Sequence, residues 1–388
     1  MFERFETPRP VGSGLILQPV GQAVLHQLGL FEQIAALGQP IDRLIGNDAE
    51  SGRTVLDVRY LRLRGIGRGL GVHRATLFDV LHQAVLAGHI PIHTGFMVSS
   101  MERRAGKSWL LAGAAAEGPF DLVIDTLGTN SPLKRFARYP VAPKALAFGA
   151  IWATTPWVDE GFERRALMQC YRHASVMIGV LPIGRQSLGG RELAAFFWSL
   201  RTAEHDALLA AGIEAWKERV RELWPETEPH LASISGFEQL NLARYSHHTL
   251  RVPVGEGIVF VGDSAHATSP QLGQGANMAL LDAYALALAL QGNGGVNAAL
   301  LRYAALRRWH VRLYQVLSLA LTPFYQSGSR VLPFIRDVAV AYLAQVPPAP
   351  QILAAMVAGR LLDPMRTLGL AAAPELESER EASLIGMA

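Results

Sequence analysis

One cysteine, Cys170, stands in 388 residues, which excludes an internal disulfide and a cysteine-rich metal centre and fits a reducing compartment. Charge is also scarce: Asp, Glu, Lys and Arg make up 18% of the chain against 50% hydrophobic residues, a balance that argues against disorder and for a sizeable core. Long apolar runs are missing. Val316–Leu321 is among the longest and falls far short of the roughly 20 residues of a membrane span. The opening residues, MFERFETPRP, carry charge where a secretory leader needs an apolar run. A cytoplasmic protein with no integral membrane segment is therefore expected. The net charge of +3 suits a phosphate-bearing ligand but gives no reason to expect nucleic acid. At this length about two domains are expected.

The most informative stretch runs from Gly257 to Leu290. Gly257-Ile258-Val259-Phe260-Val261 is a short apolar, β-branched run bounded by glycines and reads as a buried strand, whereas Ala276–Leu290 has the length and composition of a buried helix. The loop between them is built for close approach to a ligand. Asp263 follows the strand, where its carboxylate can accept from ligand hydroxyls; Pro270 fixes the backbone; Gly273-Gln274-Gly275 then opens the helix, whose amino terminus favours negative charge.

This stretch resembles the second flavin-binding motif of the class A flavoprotein monooxygenases, the para-hydroxybenzoate hydroxylase-like aromatic hydroxylases. The match falls on Gly262, Asp263, Ala265, His266, Pro270, Gly273, Gln274, Gly275, Asn277, Asp282 and Ala283, an ordered set too specific for an ordinary strand, turn and helix. The resemblance implies that Asp263 holds a ribityl hydroxyl of FAD. It also implies that, after Pro270 has fixed the backbone, the amides of Gly273, Gln274, Gly275, Ala276 and Asn277 face the pyrimidine end of the flavin.

The amino terminus resembles the same family just after the second strand of its dinucleotide-binding unit. There Glu3 would take the adenosine ribose with Arg4 beside it, and Gly12-Ser13-Gly14 would pass toward the flavin. A strand and G-x-G-x-x-G belong about 20 residues before such an acid, and only Met1 and Phe2 precede Glu3. The Rossmann-like unit is therefore expected to be amino-terminally truncated. The cluster Gly65–Gly71 breaks the required spacing and does not replace it.

Further along, a helix is expected over Gln18–Leu28, and Val55–Leu63 alternates apolar and basic residues as a half-solvated strand would. Arg74 and Leu77 resemble the family's R-x-x-L segment, which implies that the Arg74 guanidinium approaches the FAD phosphates or the flavin edge. Asp121, Val123, Gly128 and Ser131 fit the family's D-x-V-x-G-A-D-G-x-x-S-x-x-R. Asp125 and Thr126 depart from its Gly-Ala, Leu127 replaces its second aspartate, and Lys134 replaces its arginine. The carboxylate absent at Leu127 belongs to a segment used around the cofactor and in pyridine-nucleotide contacts.

From Ala142 short apolar runs alternate with glycine and proline, as in an antiparallel sheet, followed by a helix over Ala203–Trp224. By resemblance this sheet covers the flavin, and Trp152, Tyr171, Met177, Pro182, Phe197 and Trp198 are candidates for a substrate pocket, although strand alternation alone does not say which face looks inward. His247 and His248 point to opposite sides if extended, no metal site is expected, and Cys170 reads as a buried apolar residue. A long helix is expected over Asn297–Ser318, further helices over Ser329–Leu370, and a poorly ordered tail from Ala371.

The fold class expected is α/β: a discontinuous FAD-binding domain (1–141 and 250–330), an inserted antiparallel substrate domain (142–249) and carboxy-terminal helices with a tail (331–388). The activity implied by the resemblance is hydroxylation of an aromatic or polyketide-like molecule with FAD, NAD(P)H and O2, by way of a flavin C4a-hydroperoxide; no catalytic residue is assigned. A flavin-fold ligand-binding protein and a related reductase or halogenase remain as alternatives, the latter without a W-x-W-x-I-P signature.

Overall fold

Strand-forming runs at the centre of the chain build one large sheet. The computed structural model describes residues 1–374 except 11, 66, 330, 338–343 and 345. Its largest sheet comprises β3 (Arg43–Asp48), β4 (Thr54–Arg59), β10 (Lys144–Pro156), β11 (Ala166–Arg172), β12 (Val176–Pro182), β13 (Leu193–Arg201), β14 (Asn241–Thr249) and β17 (His266–Ala267), in the order β17-β14-β10-β13-β12-β11-β3-β4. All its pairings are antiparallel except β11 with β3. The sheet therefore extends beyond 142–249, taking two strands from the amino-terminal part and one from the loop after Val261.

Alternation along β13 assigns its two faces. Phe196 and Trp198 pack with Trp216, Val220 and Leu231 in an apolar core beneath the helices His205–Ala211 and Ile213–Leu223. Phe197 points the other way, opposite Trp152 on β10, with ring centroids 4.6 Å apart, beside Tyr171 and Met177. This period of two decides what the sequence left open: Trp198 belongs to the core under the helices. The single helix expected over Ala203–Trp224 is broken at Gly212, whose φ of +89° no helix can hold. The expected strand Val55–Leu63 likewise ends at Arg59 and tightens into a helical turn at Tyr60–Arg62, because Tyr60 turns into the core, where its hydroxyl donates to Gln18 Oε1 at 2.6 Å.

A second, small sheet carries the motif strand. In it β16 (Ile258–Phe260) pairs in parallel with β9 (Val123–Asp125) and antiparallel with β15 (Val254–Gly255). The helix Gly275–Gln291 packs against Val259 and Val261 through Leu281, Ala285 and Ala289, and the longer helix Gly295–Tyr325 lies against it, with Leu300 and Tyr303 in the same core. From the amino-terminal side, β1 (Gly14–Leu17) pairs with β5 (Gly69–His73), which also takes β2 (Gln39–Ile41), and β6 (Ser100–Arg104), β7 (Lys107–Ala112) and β8 (Ala115–Phe120) form a separate antiparallel sheet. Helices follow at Val331–Ile335, Ala349–Val357 and Pro364–Leu368; most of the expected tail lies outside the described residues. Among the described residues no helix is long and apolar enough to cross a membrane.

Candidate active site

The loop after β16 is held from behind by a buried ionic chain. Asp282, fully buried on the helix Gly275–Gln291, accepts from Gly262 N at 3.0 Å, from His266 Nε2 at 2.6 Å and from Arg307 Nε at 2.6 Å. Arg307 reaches His310, and His310 Nε2 donates to Gly359 O at 3.0 Å. Burial alone would push the Asp282 carboxyl up, but the His266 imidazole and the Arg307 guanidinium outweigh it and hold it below the usual carboxylate range. His266 thus serves the loop.

With its back fixed, the loop presents Asp263 outward: the neighbours Gly262 and Ser264 are buried, and Asp263 is exposed. Gly273 turns the chain in the left-handed region at φ +60°, a conformation that favours glycine. At Gly275, the first residue of the helix, an added Cβ would meet nothing within 4 Å, so the helix amino terminus opens onto empty space.

That space is a cavity of about 1060 Å³. Asp263, Pro270, Gly273, Gln274, Gly275, Ala276 and Arg74 all line it, with Gly12, Ser13 and Gly14 beside them. Arg74 opens the helix Arg74–Ala87, capped by His73 Nδ1 accepting from Ala75 N, and its side chain lies over Gly12, where a Cβ would stand 2.9 Å from Arg74 Cδ. The opposite wall is the large sheet: Trp152, Tyr171, Met177 and Phe197 line the same cavity. Trp152 Nε1 donates to Tyr245 Oη at 3.1 Å, and burial pushes the Tyr245 phenol up, keeping it protonated. Tyr245, Gln169, Tyr325 and Met356 are cavity residues that motif reading missed; their strand and helix positions carry no local signature, and only the facing of β11 and β14 and the return of the carboxy-terminal helices reveal them.

Three sequence candidates sit elsewhere. Glu3 is drawn to the neighbouring segment, its amide donating to His93 O and its Oε1 accepting from Phe5 N at 3.0 Å, and neither Glu3 nor Arg4 lines the cavity. Asn277 is fully buried: its Oδ1 accepts from Gln18 N at 2.8 Å and its Nδ2 donates to Ile16 O at 3.1 Å and Gly273 O at 3.0 Å. Its side chain ties the amino-terminal strand to the motif helix and leaves nothing for a ligand. Gln274 lines the cavity, but its Nε2 donates to Val357 O at 2.5 Å. Of the pocket candidates, Pro182 and Trp198 lie outside the cavity.

The departing segment around Asp125 closes on itself. Asp125 is buried and accepts from Leu127 N at 2.8 Å and Ser131 Oγ at 2.5 Å. Burial raises its carboxyl above the ordinary range despite these donors. Lys134 is buried and donates to Thr129 O, and burial lowers its ammonium against the opposing pull of Asp125 and Asp263. Leu127 is 43% exposed. Cys170 is buried, its thiol pushed up to about 12, chiefly by burial, which makes it an inert core residue.

Strand, acidic loop and glycine-rich helix start thus face an antiparallel sheet across one deep cavity, the arrangement expected of a flavin-dependent oxidoreductase. A family model described as "FAD binding domain" matches residues 140–314. The chain is similar to the aurachin C monooxygenase/isomerase of Stigmatella aurantiaca, 27% identical over 319 residues, covering 79% of this chain and 78% of that protein. It is also similar to the FAD-dependent urate hydroxylase of Klebsiella pneumoniae, 26% identical over 338 residues, covering 80% of each. The crystal structure of Klebsiella pneumoniae HpxO complexed with FAD and uric acid superposes with a TM-score of 0.76 at 17% identity over 94% of this chain and 90% of that one. The tetrameric form of 2-methyl-3-hydroxypyridine-5-carboxylic acid oxygenase gives 0.74 at 18% over 96% and 91%; these two likenesses speak for the fold. Together the FAD-binding-domain match and these relatives support a class A FAD-dependent aromatic monooxygenase.

Proposed function

We propose that the protein hydroxylates a small aromatic or polyketide-like molecule, taking electrons from NAD(P)H and one oxygen atom from O2, in the cytoplasm. The observation that carries this reading is the single cavity joining the motif loop to an aromatic wall: Asp263 and Gly273–Ala276 on one side, Trp152, Phe197, Tyr171 and Tyr245 on the other. FAD, when bound, supplies the electron transfer and oxygen activation. In this reading Asp263 accepts from a hydroxyl of its ribityl chain, and Arg74 offers a planar donor fork to phosphate or the ring edge. The free amides at Gly275 and Ala276, at the positive end of a 17-residue helix, stabilise negative charge on the ring.

The sheet wall performs the other half of the task. Flat apolar rings exclude water from the reacting atoms and offer faces against which a planar substrate can pack. The protonated Tyr245 hydroxyl, already accepting from Trp152, has its own proton left to donate to a substrate oxygen. The units are 1–141 with 250–330 for the cofactor and 142–249, joined by β3 and β4, for the substrate, with the helices and tail of 331–388 completing the chain. Glu3 and Arg4, which do not line this cavity, carry no role in this reading. The test is to titrate FAD into the protein by flavin fluorescence and then follow NADH and NADPH oxidation and O2 uptake with a panel of phenols and hydroxylated heteroaromatics. Substrate-stimulated oxidation with a hydroxylated product is expected; FAD binding with no oxidation across the panel would return the chain to the ligand-binding reading.

A further inference from the structure

Between Ser264 and Arg336 the sequence holds one carboxylate, Asp282, against Arg302, Arg307, Arg308, Arg312, Arg330 and Arg336. Asp282 is fully buried and paired with Arg307, so it contributes no negative charge to the surface. The helix Gly295–Tyr325 therefore has an outer face on which every charge is positive.

That face is also apolar. Leu301, Trp309, Val316 and Leu319 are 59%, 61%, 63% and 58% exposed, and with Arg308 and Arg312 they fall at spacings of mostly three and four, forming one stripe. At 1.5 Å per residue the stripe is about 27 Å long. The Arg308 and Arg312 guanidiniums lie 5.0 and 5.4 Å from the Trp309 ring centroid, so an aromatic body is flanked by two cations. A helix face turned to water ordinarily carries mixed charges and few large apolar groups. Large apolar side chains interleaved with arginines alone match instead a helix lying in the plane of a bilayer interface. Val331 and Phe334 of the next helix are exposed as well, 66% and 68%.

We infer that this stripe docks the protein on an anionic lipid surface, with Trp309 at headgroup depth and Arg308 and Arg312 against lipid phosphates. Charge decides among occupants: a second copy seated on the same stripe would bring arginines against arginines, whereas an anionic bilayer complements both the charge and the apolar area. Leu321 and Tyr325 of the same helix line the cavity, but from the side of the helix opposite the stripe. The inference does not depend on flavin chemistry.

The experiment is co-sedimentation of the full chain with vesicles of phosphatidylcholine alone and of phosphatidylcholine with an equal share of phosphatidylglycerol, at low and high salt. Binding only to the anionic vesicles, weakened by salt, is expected. Arg308→Gln with Arg312→Gln should lower the partition coefficient roughly 30-fold, each arginine near such a surface being worth about fivefold, and Trp309→Ala should weaken it separately at low and high salt. Sedimentation velocity of the same variants guards against misfolding and reports the alternative. No binding to anionic vesicles by a folded wild type would overturn the inference, as would a stable dimer that Trp309→Ala dissociates.

Discussion

Asp282→Asn is the sharpest probe of how the motif is held. The substitution keeps side-chain volume but removes the counter-charge of Arg307, which is 2% exposed and donates to Asp282 at 2.6 Å. It also turns one acceptor into a donor. With the amide oxygen toward Arg307, its NH2 faces both His266 Nε2 and Gly262 N, which now donate to a single carboxylate oxygen. A histidine can change tautomer; a backbone N–H cannot. Breaking a buried ion pair from one side costs about 3–5 kcal/mol, a large fraction of the ~5–15 kcal/mol that holds a domain together. Urea unfolding at neutral pH should show the midpoint falling with an unchanged m-value, and Asp282→Asn combined with Arg307→Met should cost less than the two single changes added, because no charge is then left stranded. The acid limb gives a second reading. The folded pKa of Asp282 is depressed, so its stabilisation is complete above the unfolded value near 4 and disappears as pH falls through the lower folded value; the variant should lose that part of the slope. A single variant within about 0.5 kcal/mol of wild type would refute the account of Asp282 as the anchor of the Gly262–His266 loop.

The remaining predictions concern the cavity and pH. Asp263→Ala should weaken FAD binding roughly ten- to a hundredfold, the worth of one hydrogen bond to a charged group, with circular dichroism unchanged; equal affinities would leave Asp263 a turn residue. Gly275→Val should leave Tm nearly unaltered, since a Cβ there meets no protein atom within 4 Å, while FAD retention drops sharply; a large fall in Tm with normal FAD binding would mean the space is not the cofactor's. His230 and His248, lowered to about 4, and His310, lowered to about 3, are all held neutral chiefly by burial. Their folded values lie below the unfolded value near 6.5, so stability should fall as pH drops from about 6.5 toward 4, by up to about 1.4 kcal/mol per pH unit for each. A flat stability profile across that window, measured by urea unfolding, would contradict their burial.

The motif was legible because its chemistry is local: strand, acid, proline and glycines follow one another within a few residues, and the structure brings Arg74, Asp263 and Gly273–Ala276 to one cavity. What local pattern could not say is which way each side chain points once the helix starts. Gly275 and Ala276 border the cavity, whereas Asn277, one residue on and about 100° around the helix, is swung into the core, where it satisfies Gln18 N and Ile16 O. Its place in the motif is therefore that of a clamp. It fastens β1 to the helix start, and β1 in turn carries the Gly12–Gly14 approach to the cavity and lies beside Arg74, whose N–H donates to Ser13 O at 2.8 Å. Asp282 follows the same logic about one and a half turns further on, facing inward to hold Gly262 while Asp263, next to that glycine, faces out. Recognition of a ligand and fastening of the loop alternate along one short stretch because a backbone close enough to touch a flavin has no bulk of its own to stay in place. The sheet wall gave no comparable local signal: Phe197 and Trp198 are adjacent aromatics of equal plausibility, and only pairing with Trp152 on β10 and packing against Trp216 send one to the cavity and the other to the core.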